Sequence, residues 1–580
     1  MDESSGARLA AAAALTVAAL MSVASGLGLG APALAQSAAR PTGSTAGATL
    51  ERARPGAVDP GRAALPARPG PPGGGAVVGI APGARFPLDA VRLEGATVYV
   101  ADTLARFWED RIGDEIGGAE AAEIAGAVQA FYRGEGYVFT RVVAARAANT
   151  LRLIVVEAQI ESVAIEEPAG PVGPVNQLLG DLAEPLVGLR NPTLADLERV
   201  VLLMNDVPGV TRATAVPRAG TDGPGALALS FNVERAPFSG AVFADNRQQP
   251  TFGQGVAGAF VEWGSWSSAG DTTQLTFTNT FWTSIDDLEE RNILEVTHSR
   301  NLGSHGARAG VRALASRNRP GDVLDPLGLA GEEFELEIFA EYPLIRTRPL
   351  SLWVRGGFEL LSDQLRFEDT DETVSEDNIR VLYGEAELQQ RDAYGFTEAV
   401  IGFRQGASLF GASEKGDANL SRFDGDPQAT VVYGQIEREV ALTEMFAVYG
   451  LVAGQYADSP LLGGEEFALG GTTFGRGYDP SEALGDHGVG ATFEIRARQS
   501  VEVEQVPIDA EFYAFTDVGK VWNRGDGTPE ENDLSSVGFG VRALIDRLTF
   551  IEAEVAKPVE PLIRTDSDSF RFFLTAQRRF

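Results

Sequence analysis

The sequence predicts two small α+β units followed by an all-β transmembrane barrel of 16 antiparallel strands. Three features lead there. A β-α-α-β-β order occurs twice between residues 86 and 235. From about Ala236 to Phe580 the helical period is lost, and apolar and polar residues alternate instead. Connections in that second part are short after one strand and long after the next, which is the asymmetry of a membrane barrel.

A chain of 580 residues exceeds what one hydrophobic core can hold, so several domains are expected. The absence of cysteine removes disulfide scaffolds, and a hydrophobic share of 44% is ordinary. Beyond the N-terminus there is no run of ~18 apolar residues, so a barrel is the only membrane-spanning option. The net charge of −33 arises from 81 acids against 48 bases, with Lys415, Lys520 and Lys557 as the lysines. That balance disfavours a nucleic-acid partner, and solubility and loop solvation account for it.

Residues 1–35 read as a secretory signal, with an Ala/Leu/Val-rich run from Leu9 to Ala24 and Ala33-Leu34-Ala35 as a small-x-small cleavage site before Gln36. Asp2 and Glu3 outnumber Arg8 where a basic region belongs, which puts the start codon in question. Residues 36–85 form a Pro/Gly/Ala-rich linker, with Ala46–Arg54 as its one short helical run. The first unit, 86–159, is expected to hold a strand at Val91 and Leu93 and a helix over Thr103–Ile112. A second helix with Ile124, Val128 and Phe131 on one face follows, then strands near Thr140–Ala145 and Leu151–Glu157. The second unit, 160–235, repeats the order: a strand at Ile160–Ile165, helices near Gln177–Val187 and Leu194–Met204, and strands around Val210–Val216 and Ala226–Val233. Thr193 with Asp196 three residues on makes a capping box for its second helix, which Pro208-Gly209 ends.

Within 236–580, Phe334, Leu336, Ile338, Ala340 and Tyr342 share one face of a strand, and Glu333, Glu335, Glu337 and Glu341 share the other. Candidate strands run in this way from 237–246 to 568–580. Short turns such as Asn301-Leu302-Gly303-Ser304 and Asp546-Arg547 follow even-numbered strands, and longer acidic connections such as Ser362–Glu376 and Gly411–Pro427 follow odd-numbered ones. Short turns belong on the periplasmic side. An even strand count returns the chain to the side where it began, so both α+β units are periplasmic as well. The longest connection, Ser459–Asp486, joins strands eleven and twelve, and the last strand carries Phe570, Phe572, Leu574, Ala576 and Phe580 as one lipid-facing row.

That long connection contains Leu469-Gly470-Gly471-Thr472-Thr473-Phe474-Gly475-Arg476-Gly477-Tyr478, and strand thirteen contains Phe515-Thr516-Asp517-Val518-Gly519. The two segments resemble the [VF]-x-R-G-[YF] loop signature and the F-x-D-x-G strand signature of the BamA superfamily of outer-membrane translocases. The α+β units resemble POTRA domains. Tyr342-Pro343-Leu344-Ile345-Arg346 is similar to the two-partner secretion branch, TpsB, which includes the ShlB/FhaC/HecB-like hemolysin secretion/activation transporters. Over residues 86–580 this resemblance implies an outer-membrane transporter that catches an unfolded β-helical exoprotein, the TpsA-like partner, and passes it through the barrel without ATP. It further implies insertion by barrel-assembly machinery, contact with outer-membrane lipid and lipopolysaccharide, a monomer, and no cofactor.

In strand thirteen Ile508, Ala510, Phe512 and Ala514 form the apolar face, so Asp509, Glu511, Tyr513, Phe515 and Asp517 point into the lumen. A loop folding back could bring Arg476 to Asp517, and their ion pair, partly shielded from water, would hold it as a latch. Gly475 and Gly477 let the backbone turn on both sides of the arginine. Tyr478, Phe515 and Gly519 complete the two signatures, and Glu494 and Arg496 on strand twelve offer a second layer. The alternative is a solvated Arg476 with Asp517 as one of many luminal acids; the matched signatures favour the latch. Replacing either latch partner is expected to have the same effect.

Other signals carry less. Gly253-Gln254-Gly255-Val256-Ala257-Gly258 fits G-x-G-x-x-G but opens a strand rather than a helix. His298, His305 and His487 are too scattered for a metal site or a triad, so neither a metal nor an enzyme is expected. An assembly factor that inserts other barrels is disfavoured by having two POTRA units, and a passive porin by having any.

Overall fold

The computed structural model describes residues 76–580 apart from 79, 81–82, 167–172, 249, 282–290, 525–530, 563–564 and 566–568. The expected signal at 1–35, the linker as far as residue 75 and the helical run Ala46–Arg54 lie outside the described residues.

The first unit is a sheet in the order Ala76–Val78, Arg141–Ala147, Thr150–Val156, Ala90–Glu94. Leu151, Leu153 and Val155 point inward at every second position, and helix Gly118–Gly134 lays Ile124, Val128 and Tyr132 against them. Phe131, expected on the same face, sits half-buried at its margin. Two expectations are corrected here. Ala76–Val78, assigned to the linker, pairs in parallel with Val143–Ala145, because a sheet edge binds main chain whatever the side chains are. The expected helix Thr103–Ile112 is a single α-turn, Ala101–Leu104, followed by the 3₁₀ turns Ala105–Phe107 and Glu109–Arg111. Trp108 leaves helical geometry at φ −146°, and its ring is buried in the core with Leu104.

The second unit stacks helices Asn176–Ala183 and Leu194–Asn205 on a sheet ordered Gln159–Glu166, Ala226–Arg235, Val210–Ala219. Asp196 Oδ2 accepts from Thr193 N at 2.8 Å and Thr193 Oγ accepts from Asp196 N at 3.2 Å, the reciprocal capping box. The helix expected to reach Val187 ends at Ala183 and tightens into a 3₁₀ turn, Glu184–Leu186, since Pro185 has no N–H to continue the ladder. The units join through Asn191 N, which donates to Ala158 O at 2.8 Å, and Leu194 N, which donates to Gly136 O at 2.9 Å. Within the first unit, Glu157 accepts from Thr97 N at 2.8 Å, Val98 N at 3.0 Å and the Tyr132 hydroxyl at 3.1 Å. Burial works to raise the Glu157 carboxyl, but these hydrogen bonds outweigh it and hold the group below the ordinary carboxylate range.

Sixteen antiparallel strands close the barrel, with the first, Phe238–Asp245, paired to the last, Arg571–Arg579. Side-chain parity follows the alternation. Phe334 and Ile338 face outward while Glu335 and Glu337 are buried, and Phe570, Phe572, Leu574 and Phe580 are between 56% and 69% exposed on the lipid side. Turns after even-numbered strands are short, for example 303–306, 347–349 and 504–505, and the longest odd connections are 407–429 and 458–486. One expected loop is corrected: within Ser362–Glu376, strands seven and eight continue to Phe367 and from Thr373, leaving only 368–372. The face that carries Leu360 continues as Ser362, Gln364 and Arg366, so pairing persists where the apolar row on that face has stopped. A protease site inserted at 368–372 is expected to be cut from outside intact cells and one at 303–306 to be protected. The opposite result would invert the orientation.

Candidate functional site

Residues 458–486 leave strand eleven, Phe446–Ala457, on the long-loop side and fold back against the inner wall. A two-stranded ribbon, Phe467–Leu469 with Ala483–Gly485, stiffens the loop, and Phe467, Leu469, Phe474, Tyr478 and Ala483 bury themselves against Leu451, Val521 and Leu534 of the barrel. Its ends are tied by Asp486, which accepts from Leu461 N at 2.6 Å and from Arg422 Nη1 at 2.6 Å. The tip of the loop is thereby delivered to strand thirteen, Val506–Trp522.

There Arg476 meets Asp517. The Arg476 main-chain N–H donates to Oδ2 at 2.9 Å, Nε to the same oxygen at 3.2 Å, and Nη2 to Oδ1 at 2.9 Å. One carboxylate thus receives three bonds from one residue. Nη1 donates to Glu494 at 2.6 Å and Glu554 at 3.4 Å, Nη2 to Thr492 Oγ at 2.8 Å, and the guanidinium lies 3.5 Å from the centroid of the Phe515 ring. Arg476 is 4% exposed and Asp517 0%, so the pair is fully enclosed rather than partly shielded as the sequence suggested.

Charges around the pair alternate. Arg496 Nε donates to Glu494 at 2.8 Å and Arg542 Nη1 to the same carboxylate at 3.2 Å, while Arg247 Nη1 reaches Glu554 at 3.0 Å. Each buried carboxylate therefore faces at least one guanidinium, the condition under which burying so many ions is tolerable. Arg496, expected in a second layer, touches Glu494 but not Asp517.

The signature glycines have distinct jobs. Gly475 sits at φ +83°, and a Cβ there would lie 2.5 Å from Leu534. Gly477 does not turn the backbone in the left-handed region as expected; it permits close approach, since a Cβ would lie 2.6 Å from Pro558 N. Gly519 likewise leaves room for Leu469, 2.5 Å from where a Cβ would be. Tyr478 is buried, with its hydroxyl 2.7 Å from Glu560 O and 3.0 Å from Ser535 O.

A family described as haemolysin secretion/activation protein ShlB/FhaC/HecB matches residues 227–543, more than half of the chain, and a POTRA domain of ShlB type matches 86–158. The chain belongs to the ShlB/FhaC/HecB family. It is therefore an outer-membrane transporter of the TpsB type, with its POTRA domains in the periplasm and no enzymatic activity. It is 23% identical over 524 residues to the heme/hemopexin transporter protein HuxB of Haemophilus influenzae, covering 86% of this chain and 88% of that one. In fold it is similar to CdiB from Escherichia coli, with a TM-score of 0.69, 15% identity, and 86% and 91% of the two chains covered. BamA from Haemophilus ducreyi lacking POTRA domains 1-3 gives a TM-score of 0.51 at 11% identity, covering 85% of this chain and 100% of that one.

In this ShlB/FhaC/HecB chain the sequence missed several members of the site. Thr492, Asp517 and Ser536 stand side by side across strands twelve to fourteen, and both hydroxyls donate to Asp517, at 2.6 Å and 3.0 Å. Glu554 on strand fifteen and Arg542 on strand fourteen complete the set. All are at inward positions that parity could have flagged, but the cross-strand register that aligns them is absent from any single strand. The three histidines stay apart, on strand four, in turn 303–306 and at the start of strand twelve.

Proposed function

We propose that this transporter exports one unfolded partner protein, capturing an extended segment on the sheet edge of its second POTRA unit and passing the chain through the barrel lumen. The observation that carries the reading is an open edge beside the barrel mouth. Sheet order leaves Gln159–Glu166 and Val210–Ala219 outermost. The latter is partly closed: Asn205 Oδ1 accepts from Ala213 N at 2.8 Å, Asn205 Nδ2 donates to Ala213 O at 3.3 Å, and Pro217 has no N–H to offer. Ile160 is bonded to the main chain of Gly188 and Leu189, but among the described residues no main chain pairs with the outer side of Val163–Glu166. An exoprotein strand can add there by β-augmentation. In the first unit the Arg141–Ala147 edge already carries Ala76–Val78, and Ala90–Glu94 is the other outer strand of that sheet.

In the same reading the Arg476–Asp517 contact is the latch that holds the luminal loop, and export draws on folding of the exoprotein outside rather than on nucleotide hydrolysis. A photo-cross-linking residue placed at Ala164, which is exposed, is expected to trap the N-terminal domain of the exoprotein during export. A residue at Glu504 in a periplasmic turn serves as control. Equal trapping at both sites, or none at Ala164 while export proceeds, would remove the capture role.

A further inference from the structure

The sixth barrel strand, Leu329–Arg346, ends in Tyr342-Pro343-Leu344-Ile345-Arg346, a segment that lines neither the lumen latch nor the capture edge. Its local geometry follows from Pro343. The ring has no N–H for the ladder, and the register with strand seven shifts between Pro343 and Ile345. The irregular end of the strand turns Arg346 toward the periplasmic unit. There Arg346 Nε donates to Asp206 Oδ2 at 2.7 Å and Nη2 to Oδ1 at 2.6 Å, a bidentate pair, while Nη1 is held by Ser351 Oγ at 3.0 Å. Asp206 is the residue that ends helix Leu194–Asn205. About two turns earlier on that helix Arg199 Nη2 donates to Pro343 O at 3.5 Å, and Glu198 meets Arg348 at 3.1 Å.

Apolar contacts lie between these polar ones. A Cβ on Gly306, in the turn after strand four, would lie 2.5 Å from Leu203 and 2.9 Å from Pro343; one on Gly270, after strand two, would lie 2.5 Å from Leu178 and 3.1 Å from Val207. Three successive periplasmic turns thus touch the same unit. Domains joined by a short covalent link swing unless their interface is large or specifically pinned, and here the pins are charged, directional and only partly exposed, at 15% for Arg346 and 23% for Asp206.

We propose that Tyr342–Arg346 is a docking cradle that sets the second POTRA unit at one angle over the barrel mouth, with Arg346 as the positioning residue that aligns the capture edge with the lumen. The functional half of this statement rests on the export reading above; the geometric half does not. Because the chain has no cysteine, a pair of spin labels can be placed at will, for example at Thr211 and Glu504 in the full chain reconstituted in outer-membrane lipid. The wild-type label distance is expected to be single and narrow. Arg346→Ala is expected to broaden it and to lower export about tenfold, the scale of losing a charge-assisted hydrogen-bonded pair, with surface barrel amount and heat-modifiability unchanged. The swap Asp206→Arg with Arg346→Asp is expected to narrow the distance and recover export, which a merely structural role would not do. A narrow distance in Arg346→Ala overturns the cradle. Broadened distances with normal export, or a swap that restores neither, overturn the positioning role. The distance readout needs no exported partner, so failure of the cradle and failure of the export reading give different results.

Discussion

Replacing Arg476 with Ala is expected to free the 458–486 loop and sharply reduce export while the barrel still assembles. The guanidinium is 4% exposed and donates to Asp517, Glu494, Glu554 and Thr492. Its loss strands charge in a closed site, which for a buried pair costs about 3–5 kcal/mol. The strandings are unequal. Glu494 keeps Arg496 and Arg542, and Glu554 keeps Arg247, but Asp517 loses its one guanidinium and is left with the main-chain N–H of residue 476 and the Thr492 and Ser536 hydroxyls. Asp517→Ala leaves Arg476 with Glu494 and Glu554, so it is expected to be the milder change, where the sequence alone suggested equal effects. Loss of both should cost less than the sum, because the shared interaction disappears once. Maleimide labelling of a cysteine at Thr473 reports loop release, and secreted exoprotein reports export. Strictly additive defects, or an unlabelled loop in Arg476→Ala, would refute the latch.

Deleting residues 86–235 is expected to bring export to background while leaving an inserted, heat-modifiable barrel. All sixteen barrel strands pair only with one another, and the first-to-last pairing Ala241↔Arg579 to Asp245↔Thr575 involves no residue before 236. Closure therefore does not depend on the periplasmic units, whereas the proposed capture edge does. Wild-type export from the shortened chain would show that the units are not receptors. Loss of the barrel itself would show that docking at Arg346 and Arg348 is needed for assembly, contrary to the expectation.

Strand count, strand order and side-chain facing were legible because each depends on neighbours in the chain. Two-residue alternation sorts Phe512 outward and Asp517 inward without knowledge of any partner, and short and long connections orient the barrel. The same rule failed where the apolar row of a strand gives way to polar residues, as at Ser362, Gln364 and Arg366, and where a strand has no pattern to show, as at Ala76–Val78. Helix limits slipped at Trp108, whose burial in the core overrides local helical preference.

The sequence by itself pointed Arg476 and Asp517 to one site through the paired loop and strand signatures that carry them, whereas glycine flanking and inward parity alone left a solvated Arg476 equally open. Tertiary structure alone decided how deep that site lies, that Thr492 and Ser536 flank Asp517, that Glu554 shares Arg476 with Glu494, and that Arg346 clasps Asp206 across a domain boundary. These contacts join residues from different strands or different domains. Cross-strand register and domain docking are set by the closing of the whole barrel and the seating of one unit on another, and no local period in the chain records either.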